Sequence, residues 1–62
     1  RPMYQITDGH ESIKIEEREE AIQEARDLSE GNHKTITVED NVERLVYRNG
    51  DLMQYLYDTR RR

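Results

Sequence analysis

Polar and apolar residues alternate in two short segments near the N-terminus. Tyr4 and Ile6 alternate with polar residues before the dipeptide Asp8-Gly9, and two isoleucines alternate with polar residues after it. A period of two gives each strand one apolar face. Asp-Gly between two such segments is typical of a two-residue type I′ turn, because both central positions of that turn need positive φ. The pattern predicts a β-hairpin in which Tyr4 lies opposite Ile13.

The next segment has helical spacing. Within EEREEAIQEARDLSEG, residues 16–31, glutamates occupy the first turn, where they interact favourably with the helix dipole. Gly31 is suited to the left-handed position that ends a helix. The pattern predicts one amphipathic helix, followed by a strand in KTITVED, residues 34–40, with Ile36 and Val38 directed inward. The apolar stripe of the helix consists of Ala21, Ile22, Ala25 and Leu28.

Residues 42–57 allow three interpretations. From Val42 onward, apolar residues recur at helical intervals, and Asp40 could cap such a helix. Against this helix, Gly50 would cost about 1 kcal/mol relative to alanine in a helix interior. Asn-Gly between apolar segments favours a hairpin with a type I′ turn, which we predict. A strand followed by a short helix capped by Asp51 is the remaining alternative.

The predicted hairpin has apolar residues on both faces. An unbroken ladder from a two-residue turn places Val46 opposite Met53 and Arg44 opposite Tyr55, where a cation–π pair could form. A surface hairpin normally keeps one face in water, and the narrow helix stripe cannot cover both faces. We therefore predict that one face is a contact surface, since Tyr, Met and Arg are enriched at such surfaces. The predicted interface consists of Val42, Arg44, Val46, Met53, Tyr55 and Tyr57.

Together these elements predict a small α+β domain with the order β-β-α-β-β-β, in which an antiparallel sheet of four to five strands packs against one amphipathic helix. We assign residues 3–59 to this single domain and residues 60–62 to a disordered basic tail. Only 32% of the 62 residues are hydrophobic, and none is cysteine. Chains this small often bury further apolar surface by oligomerising. We therefore expect a protein-interaction module that forms a homodimer through its C-terminal hairpin.

Negative charge is concentrated in the helical segment. Residues 16–30 contain seven acids and two bases, within a net charge of −4. An acidic helix can imitate the phosphates of a nucleic acid and bind a partner with a basic surface. This supports an alternative function, an inhibitor of a nucleic-acid-binding machine such as a bacterial defence complex, encoded by a phage or mobile element. The acids assigned to this partner face are Glu16, Glu17, Glu20, Glu24 and Asp27.

The sequence ends in three arginines, which suggest a further alternative, weak binding of nucleic acid. Each arginine can neutralise one phosphate, but three contacts are few, and the acidic helix would repel the same ligand. Direct nucleic-acid binding is therefore disfavoured, and we expect a solvated tail. The possible phosphate contacts are Arg60, Arg61 and Arg62.

No sequence pattern indicates an enzyme. His10 and His33 each lie beside a predicted turn and lack the spacing of zinc ligands. Neither serine lies in a nucleophile elbow, and the three glycines form no phosphate-binding loop. We therefore expect no catalytic residue, metal or cofactor. Without a long apolar run, a signal peptide or cysteine, we expect a cytoplasmic protein with no membrane partner.

Overall fold

Five β-strands and one α-helix make up the computed structural model, which describes residues 3–57 apart from the side chain of Asn32. The elements are β1 Tyr4–Thr7, β2 Ser12–Ile15, α1 Arg18–Asn32, β3 Thr35–Glu39, β4 Glu43–Arg48 and β5 Asp51–Tyr57. The strands form one antiparallel sheet in the order β2-β1-β3-β4-β5. The helix packs across one face of this sheet, so the predicted fold class and element order are confirmed. Residues 58–59 of the predicted domain and the predicted tail lie outside the described residues.

The core lies between α1 and the sheet. Alternate residues of β1, β3 and β4 are buried beneath the helix, as a period of two predicts, and Ile36 and Val38 are directed inward as expected. Ala21 and Ala25 are fully buried on the facing side of α1. Because alanine is short, the helix can approach the sheet closely. The buried residues of the sheet in this core are Tyr4, Ile6, Ile36, Val38, Leu45 and Tyr47.

The β1–β2 connection is longer than predicted. Residues 8–11 form a four-residue loop, and Tyr4 lies opposite Ile15 rather than Ile13. The Asp8 carboxylate causes this difference: its Oδ1 accepts hydrogen bonds from the backbone amides of His10 at 2.8 Å and Glu11 at 2.9 Å. These bonds replace the type I′ geometry, so the predicted two-residue turn is wrong. A register shift of two leaves each side chain on its predicted face.

Helix α1 ends later than predicted. Gly31 lies inside the helix, and His33 adopts the left-handed conformation with φ of 55°. The prediction that Gly31 ends the helix is therefore wrong. A tertiary contact holds the last turn, because the hydroxyl of buried Ser29 accepts a hydrogen bond from the amide of Gly50 at 3.0 Å. The same hydroxyl donates to the carbonyl of Arg26 at 3.0 Å.

Strands β4 and β5 form the predicted hairpin. Asn49 and Gly50 have φ of 55° and 84°, the positive values that a type I′ turn requires. The continuous helix and the strand followed by a short helix are therefore both wrong. Instead of capping a helix, Asp40 accepts hydrogen bonds from the backbone amides of Val42 and Glu43 through its Oδ1, at 2.9 and 3.0 Å.

A β-bulge interrupts this hairpin. Val46 lies opposite Gln54 rather than Met53, so Met53 is an extra residue on β5. Beyond the bulge, Arg44 lies opposite Leu56, which contradicts the predicted pair with Tyr55. Arg44 instead places its Nε 3.5 Å from Oε1 of Glu39. The predicted register therefore fails from Val46 onward.

The bulge also changes which residues share a face. Tyr55 and Tyr57 lie opposite Leu45 and Glu43, so they lie on the helix side of the sheet. The other face, which α1 does not cover, is called the open face here. It carries mainly threonine, glutamine and charged residues, with Val46 and Leu56 as apolar residues of the hairpin. The predicted division of the β5 residues between the two faces is therefore wrong beyond the bulge, and the exposed apolar side chains of the hairpin lie along β5.

Within residues 3–57, α1 lacks the length and the apolar character that a membrane-crossing helix requires.

Candidate interaction surface at the edge strand

Strand β5 is an edge of the sheet and is exposed along its whole length. Helix α1 packs against β1 to β4 and does not extend over β5. The large apolar side chains of β5 are between 46% and 60% exposed. They therefore form an apolar surface at the end of the sheet, which we call the β5 surface. Its members are Leu52, Met53, Tyr55, Leu56 and Tyr57.

The two edges of the sheet differ in how well they resist pairing with another strand. Exposed edges are usually protected by short strands, lysine, proline or a bulge. Strand β2 has only four residues and carries Lys14. Strand β5 has seven residues, contains no lysine or proline, and has Asp51 as its single charge. Its bulge lies at Met53 and leaves Gln54–Tyr57 in regular register, so β5 is the edge better suited to accept a strand.

A buried carboxylate connects the β5 surface to the core. The Glu43 side chain is only 7% exposed, and its Oε1 accepts a hydrogen bond from the Tyr55 hydroxyl at 2.8 Å. Its Oε2 accepts one from the Tyr4 hydroxyl at 2.9 Å. Arg18, at the start of α1, donates through Nε to Oε2 at 2.9 Å and through Nη2 to Oε1 at 3.4 Å. This group, the Glu43 cluster, joins α1, β1, β4 and β5.

Hydrogen bonding and burial shift the pKa values in the Glu43 cluster. The bond from Arg18 lowers the pKa of Glu43, assisted by the two tyrosine hydroxyls and opposed by burial. Burial, followed by the bond to Glu43, raises the pKa of Tyr4 from 10.0 to about 12. The bond to Glu43 likewise raises the pKa of Tyr55. At neutral pH the cluster therefore holds an ionised carboxylate, a guanidinium cation and two neutral hydroxyls.

Sequence reasoning missed Ser29 and Glu43, the buried polar residues within residues 3–57. Glu43 alternates with Leu45 and Tyr47, so the period of two directs it toward the core. Ser29 lies four residues after Ala25, in phase with the buried helix face. In each case the sequence signal was a polar residue at a position where the periodic pattern places buried apolar residues.

The structure separates the residues of the predicted interface. Met53, Tyr55 and Tyr57 belong to the β5 surface. Arg44 and Val46 lie on the open face of β4, since they face Leu56 and Gln54 across the ladder. The sixth residue, Val42, is half-buried in the connection before β4.

The predicted acidic face forms a surface of its own. The side of α1 opposite Ala21 and Ala25 carries acids, and Arg18 is directed toward Glu43 instead of toward these acids. Glu24 is half-buried, and Asp27 accepts a hydrogen bond from Gln23 at 3.0 Å. The other predicted members, which are exposed, are Glu16, Glu17 and Glu20.

A groove of about 320 Å³ lies between the β1–β2 hairpin and α1. Ile6, Ile13 and Leu28 contribute apolar surface, and Lys34 Nζ at the rim lies 3.4 Å from Oδ2 of Asp8. The amides of the loop, followed by Lys34, lower the pKa of Asp8 from 3.8 to about 2, so this carboxylate stays ionised and holds the loop closed.

Neither histidine considered as a metal ligand lines this groove. His10 and His33 are both exposed in connections between elements. Within residues 3–57, no three His, Cys, Asp or Glu side chains form a group suited to a metal ion. The predicted phosphate contacts Arg60, Arg61 and Arg62 lie outside the described residues.

Comparison of the chain with protein-family models, curated proteins and solved structures finds no match.

Proposed function

We propose that this protein is a small non-enzymatic interaction module that forms a homodimer by pairing the β5 strands of two copies. The observation that carries the proposal is the outer edge of β5, which is seven residues long, contains no lysine or proline and is lined by exposed apolar side chains. Main-chain hydrogen bonds to an added strand provide affinity, and side chains beside them provide specificity. The outer edge of β5 supplies the main-chain groups, and the β5 surface supplies the side chains.

Charge favours a second copy as the partner. The chain carries a net charge of −4, but β5 contains only one charged residue, so two β5 strands can approach with little repulsion. Pairing β5 with β5 also closes the assembly as a dimer, whereas pairing β5 with β2 would leave edges that extend into a fibre. The dimer would cover apolar surface that one helix leaves exposed.

Sedimentation equilibrium over a series of micromolar protein concentrations tests the dimer. The wild-type chain should show a mass above the 7.5 kDa of one copy. Leu56→Lys should shift the equilibrium toward the monomer, because it adds charge to both strands at the proposed contact. Ile13→Lys is the matched control: Ile13 is 44% exposed on β2, close to the 48% of Leu56, and its substitution should leave the dimer intact. A wild-type monomer at all concentrations would refute the proposal.

The acidic side of α1 supports a second candidate function, docking to the basic surface of a protein that binds nucleic acid. Its specific support is that Arg18, the base at the start of α1, is engaged by the carboxylate of Glu43. Binding to such a partner should weaken steeply with added salt, unlike an apolar dimer. Glu20→Lys combined with Glu24→Lys should abolish it without affecting the dimer. Binding that is insensitive to salt and to these substitutions would contradict this function.

A further inference from the structure

Tyr55 combines an exposed ring with a restrained hydroxyl. Tyr55 is 46% exposed on the edge strand, whereas its hydroxyl donates a hydrogen bond to buried Glu43 at 2.8 Å. An exposed side chain normally loses rotational freedom when it enters an interface, and this loss weakens binding. The bond to Glu43 restrains the Tyr55 ring before any partner arrives.

Glu43 can restrain Tyr55 because it is itself held on other sides. Arg18 donates two hydrogen bonds to its carboxylate, and Tyr4 donates a third. These bonds come from α1 and β1, which belong to the packed core. The orientation of Tyr55 is therefore set by the folded domain rather than by β5 alone.

The position of Asp51 favours antiparallel pairing of two β5 strands. A two-fold axis parallel to the strands would place Asp51 beside the same residue of the second copy. Like charges that face each other across a ladder are destabilising. Antiparallel pairing places the two aspartates at opposite ends of the interface, and its two-fold axis is perpendicular to the sheet. Both helices then lie on the same side of a continuous sheet.

The sheet faces then determine which side chains meet. Residues opposite each other in a ladder share a face. Tyr55 and Tyr57 lie on the helix side, whereas Gln54 and Leu56 lie on the open face. An antiparallel register centred on Tyr55 places Tyr55 opposite Tyr55, and one centred on Leu56 places Tyr55 opposite Tyr57; both registers preserve these faces. Aromatic pairs of this kind contribute beyond their buried area.

We infer that two copies pair antiparallel through β5, and that Glu43 acts as a positioning residue that holds Tyr55 as the aromatic anchor of the contact. This inference rests on the proposed homodimer. To that homodimer the inference adds the direction of strand pairing and the tyrosine that anchors the contact. It also assigns a role to a buried carboxylate that does not itself touch the partner.

Replacing Tyr55 and Tyr57 separately by phenylalanine tests the anchor. Both residues lie on the helix side and are similarly exposed, at 46% and 48%. Of these two tyrosines, Tyr55 donates its hydroxyl to Glu43, whereas Tyr57 makes no such bond within residues 3–57, so Tyr57→Phe is the matched control. Tyr55→Phe should raise the dimer Kd about three- to tenfold, since the ring must then lose its freedom on binding. Tyr57→Phe should leave the Kd nearly unchanged.

The direction of the change in Kd distinguishes an anchor held in place by its hydroxyl from one that contributes only buried apolar area. Phenylalanine is more apolar than tyrosine, so an interface governed by apolar area alone would bind equally well or more tightly after Tyr55→Phe. An unchanged or lower Kd would overturn the anchor, even if thermal unfolding showed a less stable domain. A wild-type chain that forms no dimer would instead refute the proposed function.

Two further variants test the other parts of the inference. Glu43→Met, which has no acceptor oxygen, should raise the Kd as Tyr55→Phe does, and the double variant should resemble Tyr55→Phe alone, because the two residues act through one bond. Additive effects would overturn the role of Glu43; if Glu43→Met fails to fold, the two phenylalanine variants decide. Asp51→Asn should leave the Kd unchanged, whereas a tighter dimer would show that the aspartates meet in parallel strands.

Discussion

Gly50→Ala tests the turn that determines the whole C-terminal hairpin. Gly50 has φ of 84°, a region that alanine disfavours because of its Cβ atom. A Cβ atom at this position would meet only the Glu30 side chain, at 3.5–3.7 Å, which is ordinary contact distance. Steric overlap with neighbours therefore adds little, and the cost is that of the backbone. A left-handed conformation costs a residue with a side chain roughly 1–2 kcal/mol, so we expect destabilisation of about 1 kcal/mol.

Thermal unfolding followed by circular dichroism measures this change. For a domain of this size, 1 kcal/mol lowers the Tm by about 4–8 °C. Urea unfolding of the same two chains gives the difference in free energy directly. Both chains are compared at equal protein concentration, because the proposed dimer would make the Tm depend on concentration.

Gly31→Ala is the internal control. Gly31 lies within α1, and a Cβ atom there would meet nothing within 4 Å. Alanine is the better helix former, so this substitution should stabilise the domain by up to about 1 kcal/mol. The two Gly→Ala changes should therefore have opposite signs. A rise in Tm for Gly50→Ala would refute the type I′ turn and, with it, the five-stranded sheet.

Three further predictions concern buried polar groups. Ser29→Ala should destabilise the domain by about 1–3 kcal/mol in urea unfolding, because the Gly50 amide loses its acceptor. Tyr4 has a folded-state pKa of about 12 against 10.0 for an ordinary tyrosine, so its contribution to stability is complete below pH 10.0 and is lost as the pH rises through 12. Tyr4→Phe should reduce the loss of stability over this range. Glu43 has a lowered pKa, so its contribution is present above pH 4.5 and is lost as the pH falls below it. Unfolding free energies measured across both pH ranges check these signs.

Local patterns determined most of the fold from the sequence. A period of two identified the strands and their buried residues, including Ile36 and Val38, and helical spacing identified Ala21 and Ala25. The dipeptide Asn49-Gly50 predicted the turn, since positive φ is a property of these residues themselves. Such features depend on neighbours in sequence, so no knowledge of distant contacts was needed.

Turn length and strand register were harder to predict from the sequence. Hydrogen bonds to the Asp8 side chain stabilise a four-residue loop instead of the predicted two-residue turn, although both connections direct the same residues inward. The bulge at Met53 had a larger effect, because one extra residue exchanges the faces of all residues beyond it. Apolar residues occur on both faces of β5, so alternation could not reveal the exchange.

The sequence by itself determined which segments form the helix and the strands, and that a small core would leave apolar surface exposed. Only the tertiary structure decided that this surface lies along β5 and that Tyr55 lies on the helix side. The physical reason is the Glu43 cluster. Its hydrogen bonds join Glu43 to Tyr4, 39 positions earlier in the chain, and to Arg18, 25 positions earlier. A carboxylate in a strand is stable in the core only when such donors surround it, and the folded chain brings them together.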